Sequence, residues 1–322
     1  MFFDILTIGA ATRDIFLVSD KFIAIKSKAS ETGVMECMAL GSKIEIQKFY
    51  ATTGAGATNA TATFRSLGCR TAILCRIGDD ATGRDVIEDL KRYRIETTYV
   101  NTIKGGQTAY STLLTLPQGE RTVLVYRGVS SAFQESDIHW SAIKKAKWVY
   151  LTSLGGNFEL SKKIVEFANK HQVKIAWNPG GGELKKGIKA FSAILPMVDV
   201  FILNKEEGEL LTGESNLKKL STILKCEGTI RLITDGSHGT TLLDGNKTCH
   251  IGTSGTKGIS KTGAGDAFGS GFVAALKKFH DPILAARVGT INAESVIQHL
   301  GAKKGVLTEW PTEAKLKKIK IL

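Results

Sequence analysis

The run FDILTI, Phe3 to Ile8, is uniformly apolar and closes at Gly9, the pattern of a strand buried on both faces. From about Ile15 to Tyr50 the pattern loosens, although KIEIQKFY alternates like a half-exposed strand. Ala57 to Leu67 reads as a helix, Thr71 to Cys75 as a strand and Thr82 to Tyr93 as a second helix. TAYSTLLTL and RTVLVYRG then alternate on either side of PQGE, whose Pro117 and Gly119 supply turn chemistry, so this stretch predicts a hairpin. The rhythm afterwards becomes regular: strand WVYLTS, helix FELSKKIVEFANKH, strand VKIAWN, strand VDVFILN, helix KEEGELL, strand TIRLITDG and two further strands. Two helices, from about Gly263 and Pro282, close the chain.

Strands that alternate with helices require a parallel sheet covered on both faces. The expected class is therefore α/β, a three-layer, doubly wound and mostly parallel sheet flanked by helices. The irregular β stretches, about 14–50 and 106–127, do not fit that rhythm and read as a small β lid inserted near the N-terminus. No linker or repeat interrupts the chain, so 1–322 is expected to be one unit.

Composition changes little. The 322 residues are 43% hydrophobic and 23% charged, as in an ordinary globular protein. The net charge of +12 raises the question of nucleic acid, but Lys and Arg occur as scattered pairs such as Lys144-Lys145 and Lys218-Lys219, which read as solvated helix faces. Such a surface would also attract anionic substrates. No nucleic-acid or membrane partner is expected. Five widely spaced cysteines without a C-x-x-C argue against disulfides and zinc, and a start lacking a basic n-region argues against a signal peptide. The expected location is cytoplasmic.

Two glycine clusters carry candidate chemistry. TGAGATNAT, Thr53 to Thr61, lies some forty residues beyond the first strand. A dinucleotide fingerprint would follow that strand directly. A tight loop with a helix cap is one reading. In the other, Gly54 and Ala55 let a polyhydroxylated ligand approach the backbone while Asn59 hydrogen-bonds to it.

The second cluster is KTGAGDAFGSGF, Lys261 to Phe272. Helix N-termini present free N–H groups and a positive dipole end, so Gly263, Ala264 and Gly265 would cradle a phosphate. Asp266 would be repelled by that phosphate; its useful work there is to take the proton of an attacking hydroxyl. A capped helix packed closely on a strand is the plain alternative. Asn204 and Glu207, in NKEE at a strand's C-terminal end, share a helix face and could hold a Mg²⁺–water shell or simply cap the helix. TDGSHG, with Thr234, Gly236 and Gly239, is a turn or a nucleotide-phosphate contact.

Taken in order, these residues resemble the ribokinase-like (phosphofructokinase-B type) kinases along nearly the whole chain. Gly9 and Asp14 match the early G-x-x-x-x-D, and Gly54 to Asn59 the first signature. GDDATG matches G-x-D-x-x-G, N-x-x-E falls at Asn204 and Glu207, and GAGD is the second signature. The resemblance implies an ATP-dependent, Mg²⁺-requiring kinase that phosphorylates a hydroxyl of a sugar or sugar-like molecule, with a nucleoside kinase as the close rival and a catalytically silent relative as a third reading. It makes Asp266 the base and the preceding backbone the anion hole. Asp14, Gly54, Ala55 and Asn59 become substrate contacts. Asn178, Asn204, Glu207, Thr234, Gly236, Gly239 and Asn292 fall on the nucleotide and metal side, with Asn292 beside the adenine. A homodimer through the lid is also implied. Phe16 and Trp177 are candidate stacking partners for a nucleobase, or core residues.

The chain departs from the pattern twice. Ser260 and Lys261 replace the Asp-Thr that precedes GAGD and helps arrange a monovalent-cation (K⁺) site. Ala55 replaces the second glycine of the first signature, and its methyl would narrow or reshape the pocket.

Overall fold

The computed structural model describes residues 2–30 and 32–322. In chain order the strands are β1 (Phe3–Ile8), β2 (Thr12–Val18), β3 (Ile23–Lys26), β4 (Val34–Cys37) and β5 (Lys48–Gly54). Next come β6 (Thr71–Gly78), β7 (Val100–Ile103), β8 (Ala109–Thr115), β9 (Arg121–Tyr126) and β10 (Ala146–Leu151). The series ends with β11 (Lys174–Trp177), β12 (Val200–Asn204), β13 (Ile230–Thr234), β14 (Thr240–Asp244) and β15 (Lys247–Ile251).

Nine strands form the main sheet in the order β15-β14-β13-β12-β11-β10-β1-β6-β7. Every pairing from β13 to β7 is parallel, and β14 and β15 return antiparallel at one edge. Alternation along each central strand divides the core into two layers. Leu6, Ile8, Val149, Leu151, Phe201 and Leu203 pack on one face with the helix Phe158–Lys170. Ile5, Trp148, Tyr150, Val200 and Ile202 pack on the other with the helices Gly56–Ser66, Ala264–Phe279 and Pro282–Val296. The expected three-layer α/β architecture is therefore the observed one. No helix among the described residues is long and apolar enough to cross a membrane.

A second sheet stands apart, four strands in the order β5-β2-β8-β9. Its strands come from the two stretches that break the βα rhythm. Thr12 pairs with both Gly54 and Ala109, and Ser111 with both Asp14 and Val125, so the residues at 12, 14, 109, 111 and 125 share one face. The predicted hairpin is present as β8–β9. KIEIQKFY is strand only from Lys48 onward, and a further hairpin, β3–β4, stands beyond the sheet. Phe16 and Trp177, the candidate base-stacking residues, are both interior. Phe16 is 1% exposed, and Trp177 is fully buried and stacked on Phe191 with ring centroids 5.1 Å apart.

Candidate active site

The first cluster opens the helix Gly56–Ser66 directly from β5. At Gly54 the Asp14 carboxylate lies against the backbone. An added Cβ would come 1.9 Å from its Oδ2, so only glycine fits. Ala55 follows at φ 72°, ψ 157°, a conformation adopted almost solely by glycine. It is held there because its carbonyl accepts the N–H of Asn59 at 3.1 Å and the Thr58 hydroxyl at 3.2 Å.

This loop turns Asn59 toward the second cluster. Asn59 Nδ2 donates to Asp266 Oδ2 at 2.8 Å, joining segments 207 positions apart. Asp266 lies in the first turn of the helix Ala264–Phe279, whose N-cap Gly263 is left-handed at φ 80°. A Cβ on Gly263 would come 2.3 Å from that of Ala302, so the cradle needs this glycine too. Among the described residues the N–H groups of Gly265 and Asp266 have no acceptor, and nothing stands within 4 Å of the position a Gly265 Cβ would occupy. Two free donors at a dipole's positive end, facing open space, fit a phosphoryl group.

A cavity of about 300 Å³ lies between this helix end and the smaller sheet, and Asp14, Ala55, Asn59, Gly263 and Asp266 all line it. Two buried polar atoms on its wall, Asn59 Oδ1 and Thr262 Oγ1, lack a hydrogen-bond partner among the described residues. Buried polar atoms are rarely left so; here they fit the hydroxyls of a ligand. Burial raises the Asp266 carboxyl above the ordinary range, and the bond from Asn59 opposes that shift. Burial likewise pushes Asp14 up to about 6, against hydrogen bonds from Ser111 and Thr12 and the charge of Lys303.

The remaining predicted residues cluster at the C-terminal ends of β11, β12 and β13, on the adjoining part of the sheet's edge. Asn204 and Glu207 form a reciprocal cap, Asn204 Oδ1 accepting the Glu207 N–H at 2.8 Å and Glu207 Oε2 accepting the Asn204 N–H at 2.9 Å. The capping alternative is thus realised. Among the described residues Glu207 Oε1 has no hydrogen-bond partner, however, and burial raises this carboxyl, with the Asp266 charge adding to the rise. An acid disfavoured as an anion and close to a second acid fits an approaching cation. Asn178 Nδ2 donates to the Ile202 carbonyl at 3.0 Å, which fixes the residue at its strand end. Thr234 donates to the Leu203 carbonyl, and Gly236 and Gly239 take φ of 52° and 92° in the loop after β13.

Asn292 does not belong with them. It is fully buried, with Nδ2 donating to the Ala267 carbonyl at 2.7 Å and Oδ1 accepting the Leu307 N–H at 2.8 Å. Its helix turns this position toward the neighbouring helix, where every bond is made within the protein, so it cannot sit beside an adenine.

Other residues emerge only in three dimensions. Glu183, fully buried, accepts from the Leu154, Gly156 and Gly180 N–H groups and so fixes the loops after β10 and β11. Lys303, 4% exposed, pairs with Asp89 and Thr53 beneath the Gly54 loop. Arg121 and Arg127 line the cavity from the smaller sheet.

Residues 5–309 match the pfkB family carbohydrate kinases. An uncharacterised sugar kinase of Archaeoglobus fulgidus is 27% identical over 245 residues, covering 74% of this chain and 96% of its own. The adenosine kinase of Sinorhizobium meliloti superposes with a TM-score of 0.78 at 20% identity, covering 96% of this chain and 98% of its own. Arabidopsis thaliana ribokinase complexed with ribose and ATP gives a TM-score of 0.73 at 18% identity, covering 99% and 98%. A nearly chain-length match, a shared fold and a carboxylate set at a glycine-lined helix end agree: the chain belongs to the pfkB family of carbohydrate kinases.

Proposed function

We propose that this kinase transfers the γ-phosphoryl group of ATP to a hydroxyl of a sugar or sugar-like acceptor, with Asp266 as general base. The carrying observation is the Asp266 carboxylate, tied on one oxygen by Asn59 and placed between two free helix amides and a cavity whose buried polar atoms lack partners.

The acceptor lies in the cavity with its hydroxyls on Asp14 and Asn59. Asp266 takes the proton of the attacking hydroxyl, and its raised affinity for a proton suits that work. The Gly265 and Asp266 amides receive the charge of the transferring group. Asn178, Thr234, Gly236 and Gly239 line the nucleotide side. Glu207 and Asn204 would hold Mg²⁺ through water; the ion supplies charge neutralisation along the phosphates when bound. Ser260 offers a neutral hydroxyl, bonded to the Thr262 N–H at 3.3 Å, where the family carries a carboxylate, and Lys261 is exposed.

The smaller sheet acts as a lid that excludes water as a competing acceptor. Its outer face carries Tyr110, Leu124 and Tyr126, exposed by 38%, 55% and 52%, which supports pairing of two lids in a homodimer. A nucleoside acceptor is the second reading, favoured by the apolar wall of Leu113, Val123 and Val125 and disfavoured by the burial of Phe16 and Trp177.

The test is ADP release with Mg-ATP across pentoses, hexoses, sugar phosphates, sugar acids and nucleosides, with Asp266→Asn alongside. The variant should melt within a few degrees of the wild type and lose turnover by about 10²- to 10⁴-fold. Turnover retained by a folded Asp266→Asn would remove the base from the mechanism.

A further inference from the structure

The cavity beside Asp266 is lined by two guanidinium groups, those of Arg121 and Arg127. Side chains of β8 and β9 alternate, and the inward row on β9 is Arg121, Val123 and Val125, continued by Arg127. Among the described residues neither arginine forms an ion pair, and neither donates a side-chain hydrogen bond to the protein. Arg121 Nε is buried without an acceptor. Arg13, by contrast, pairs with Asp85 at 3.2 Å, and Arg76 with Asp137. Arg121 and Arg127 differ from these two in lining the cavity without a carboxylate partner among the described residues.

The two groups enter the cavity from opposite ends of the β9 row. Arg121 adjoins the hairpin tip, where Gly119 lies so close to the Ile259 carbonyl that a Cβ would come within 2.8 Å. Ile259 is two residues upstream of Lys261, so this end of β9 abuts the segment leading into the phosphate cradle. Arg127 follows the Tyr110–Tyr126 pair at the opposite end. Five residues lie between them and their Cα atoms stand about 20 Å apart along extended strand, so the two side chains are rooted at separate ends of the cavity. That placement leaves room for two anions. One would be the phosphoryl group in transfer, because the Arg121 end abuts the segment leading into the cradle.

We propose that the other belongs to the acceptor: the substrate is an anionic sugar, a sugar phosphate or sugar acid, whose charged group binds Arg127. The inference rests on the kinase reading above and narrows it. Asp14 places a carboxylate on the same wall, so a charged acceptor would be repelled from this cavity unless a cation held its anionic group. Guanidinium meets phosphate and carboxylate alike through paired N–H donors, so the two sources share one chemistry.

The experiment uses paired acceptors, one neutral and one carrying an anionic group: fructose with fructose 6-phosphate, ribose with ribose 5-phosphate, and glucose with gluconate. Each is assayed for ADP release with Mg-ATP and, separately, for a shift in melting temperature without nucleotide. An anionic member should exceed its neutral partner at least tenfold in kcat/KM, and which pair responds tells phosphate from carboxylate. Arg127→Gln should cut that ratio by roughly 10- to 100-fold, chiefly through KM, the range for one lost charge-assisted hydrogen bond. Arg127→Lys should recover part of it. A neutral sugar used as well as its anionic partner, or a ratio that survives Arg127→Gln, overturns the assignment and leaves the kinase standing. Anionic sugars that raise the melting temperature without any ADP release would remove the kinase and keep the anion site. Silence in both assays counts against the site.

Discussion

Ala55→Gly should make this protein more stable, although it deletes a methyl group and frees the backbone. Ala55 lies at φ 72°, ψ 157°, a region that costs a residue with a Cβ about 1–3 kcal/mol. Glycine removes that cost and introduces a penalty of about 0.5–1 kcal/mol through the greater freedom of the unfolded chain. The difference centres near 1 kcal/mol in favour of the variant. Unfolding entropy of about 2.1 cal/mol/K per residue gives a chain of this length roughly 0.7 kcal/mol per degree, so the melting temperature should rise by about 1–2 °C. Differential scanning calorimetry of the two proteins in one buffer resolves such a shift, and urea unfolding checks it independently. The methyl group also borders the cavity, so the same substitution should change KM for the acceptor more than KM for ATP. A melting temperature that falls would show that the methyl contributes more by packing than the backbone loses by strain, and the argument would fail.

Lys303→Met strips Asp89 of its buried partner and should cost about 3–5 kcal/mol in urea unfolding, because a desolvated carboxylate is left uncompensated; a loss below 1 kcal/mol would place the pair in effective contact with water. Gly263→Ala forces a Cβ against Ala302 and strains a left-handed cap, so turnover should drop by at least about 10²-fold as the cradle amides shift; unchanged turnover in the folded variant would move the cradle elsewhere. Folding raises the Asp14 carboxyl from 3.8 to about 6, mainly through burial. The folded state therefore holds this proton longer than the unfolded chain, and stability should decline as pH rises from about 4 to about 6, by at most about 3 kcal/mol. Asp14→Asn should flatten that decline; an identical pH profile in the variant would show that Asp14 does not titrate there. Acceptor affinity should move the opposite way, improving through about pH 6 as the carboxylate becomes available to accept hydroxyls.

The sequence makes the proposed catalytic half of the site readable because its chemistry is local. Small residues before an apolar helix expose free amides, and an acid beside them has few uses, so Gly263 to Asp266 can be proposed as cradle and base from twelve residues. Strand–helix alternation likewise predicts a covered parallel sheet, since only one arrangement buries runs like FDILTI and VDVFILN on both faces. What stays hidden depends on partners far away in the chain. Glu183 looks like one more surface acid until the loops at Leu154 and Gly156 close on it. Lys303 looks like half of a solvated Lys-Lys pair, yet it is sealed against Asp89. Asn292 fails for a related reason: order along a family pattern gives a position on a helix, whereas the rotation of that helix against its neighbour decides whether the side chain meets solvent or an interior carbonyl.

The alternation in RTVLVYRG shows that Arg121 and Arg127 share a face, but not that the face looks inward. The pairing of β8 with β2 settles that by setting Ser111 beside Asp14. A lysine or arginine read as surface charge can thus be a binding group, and its use becomes clear only when the carboxylates that might have neutralised it have been assigned to other partners. Arg121 and Arg127 have no ion pair among the described residues, although Asp14 and Asp266 line the same cavity. An anion bound at Arg127 would have to come from outside the chain.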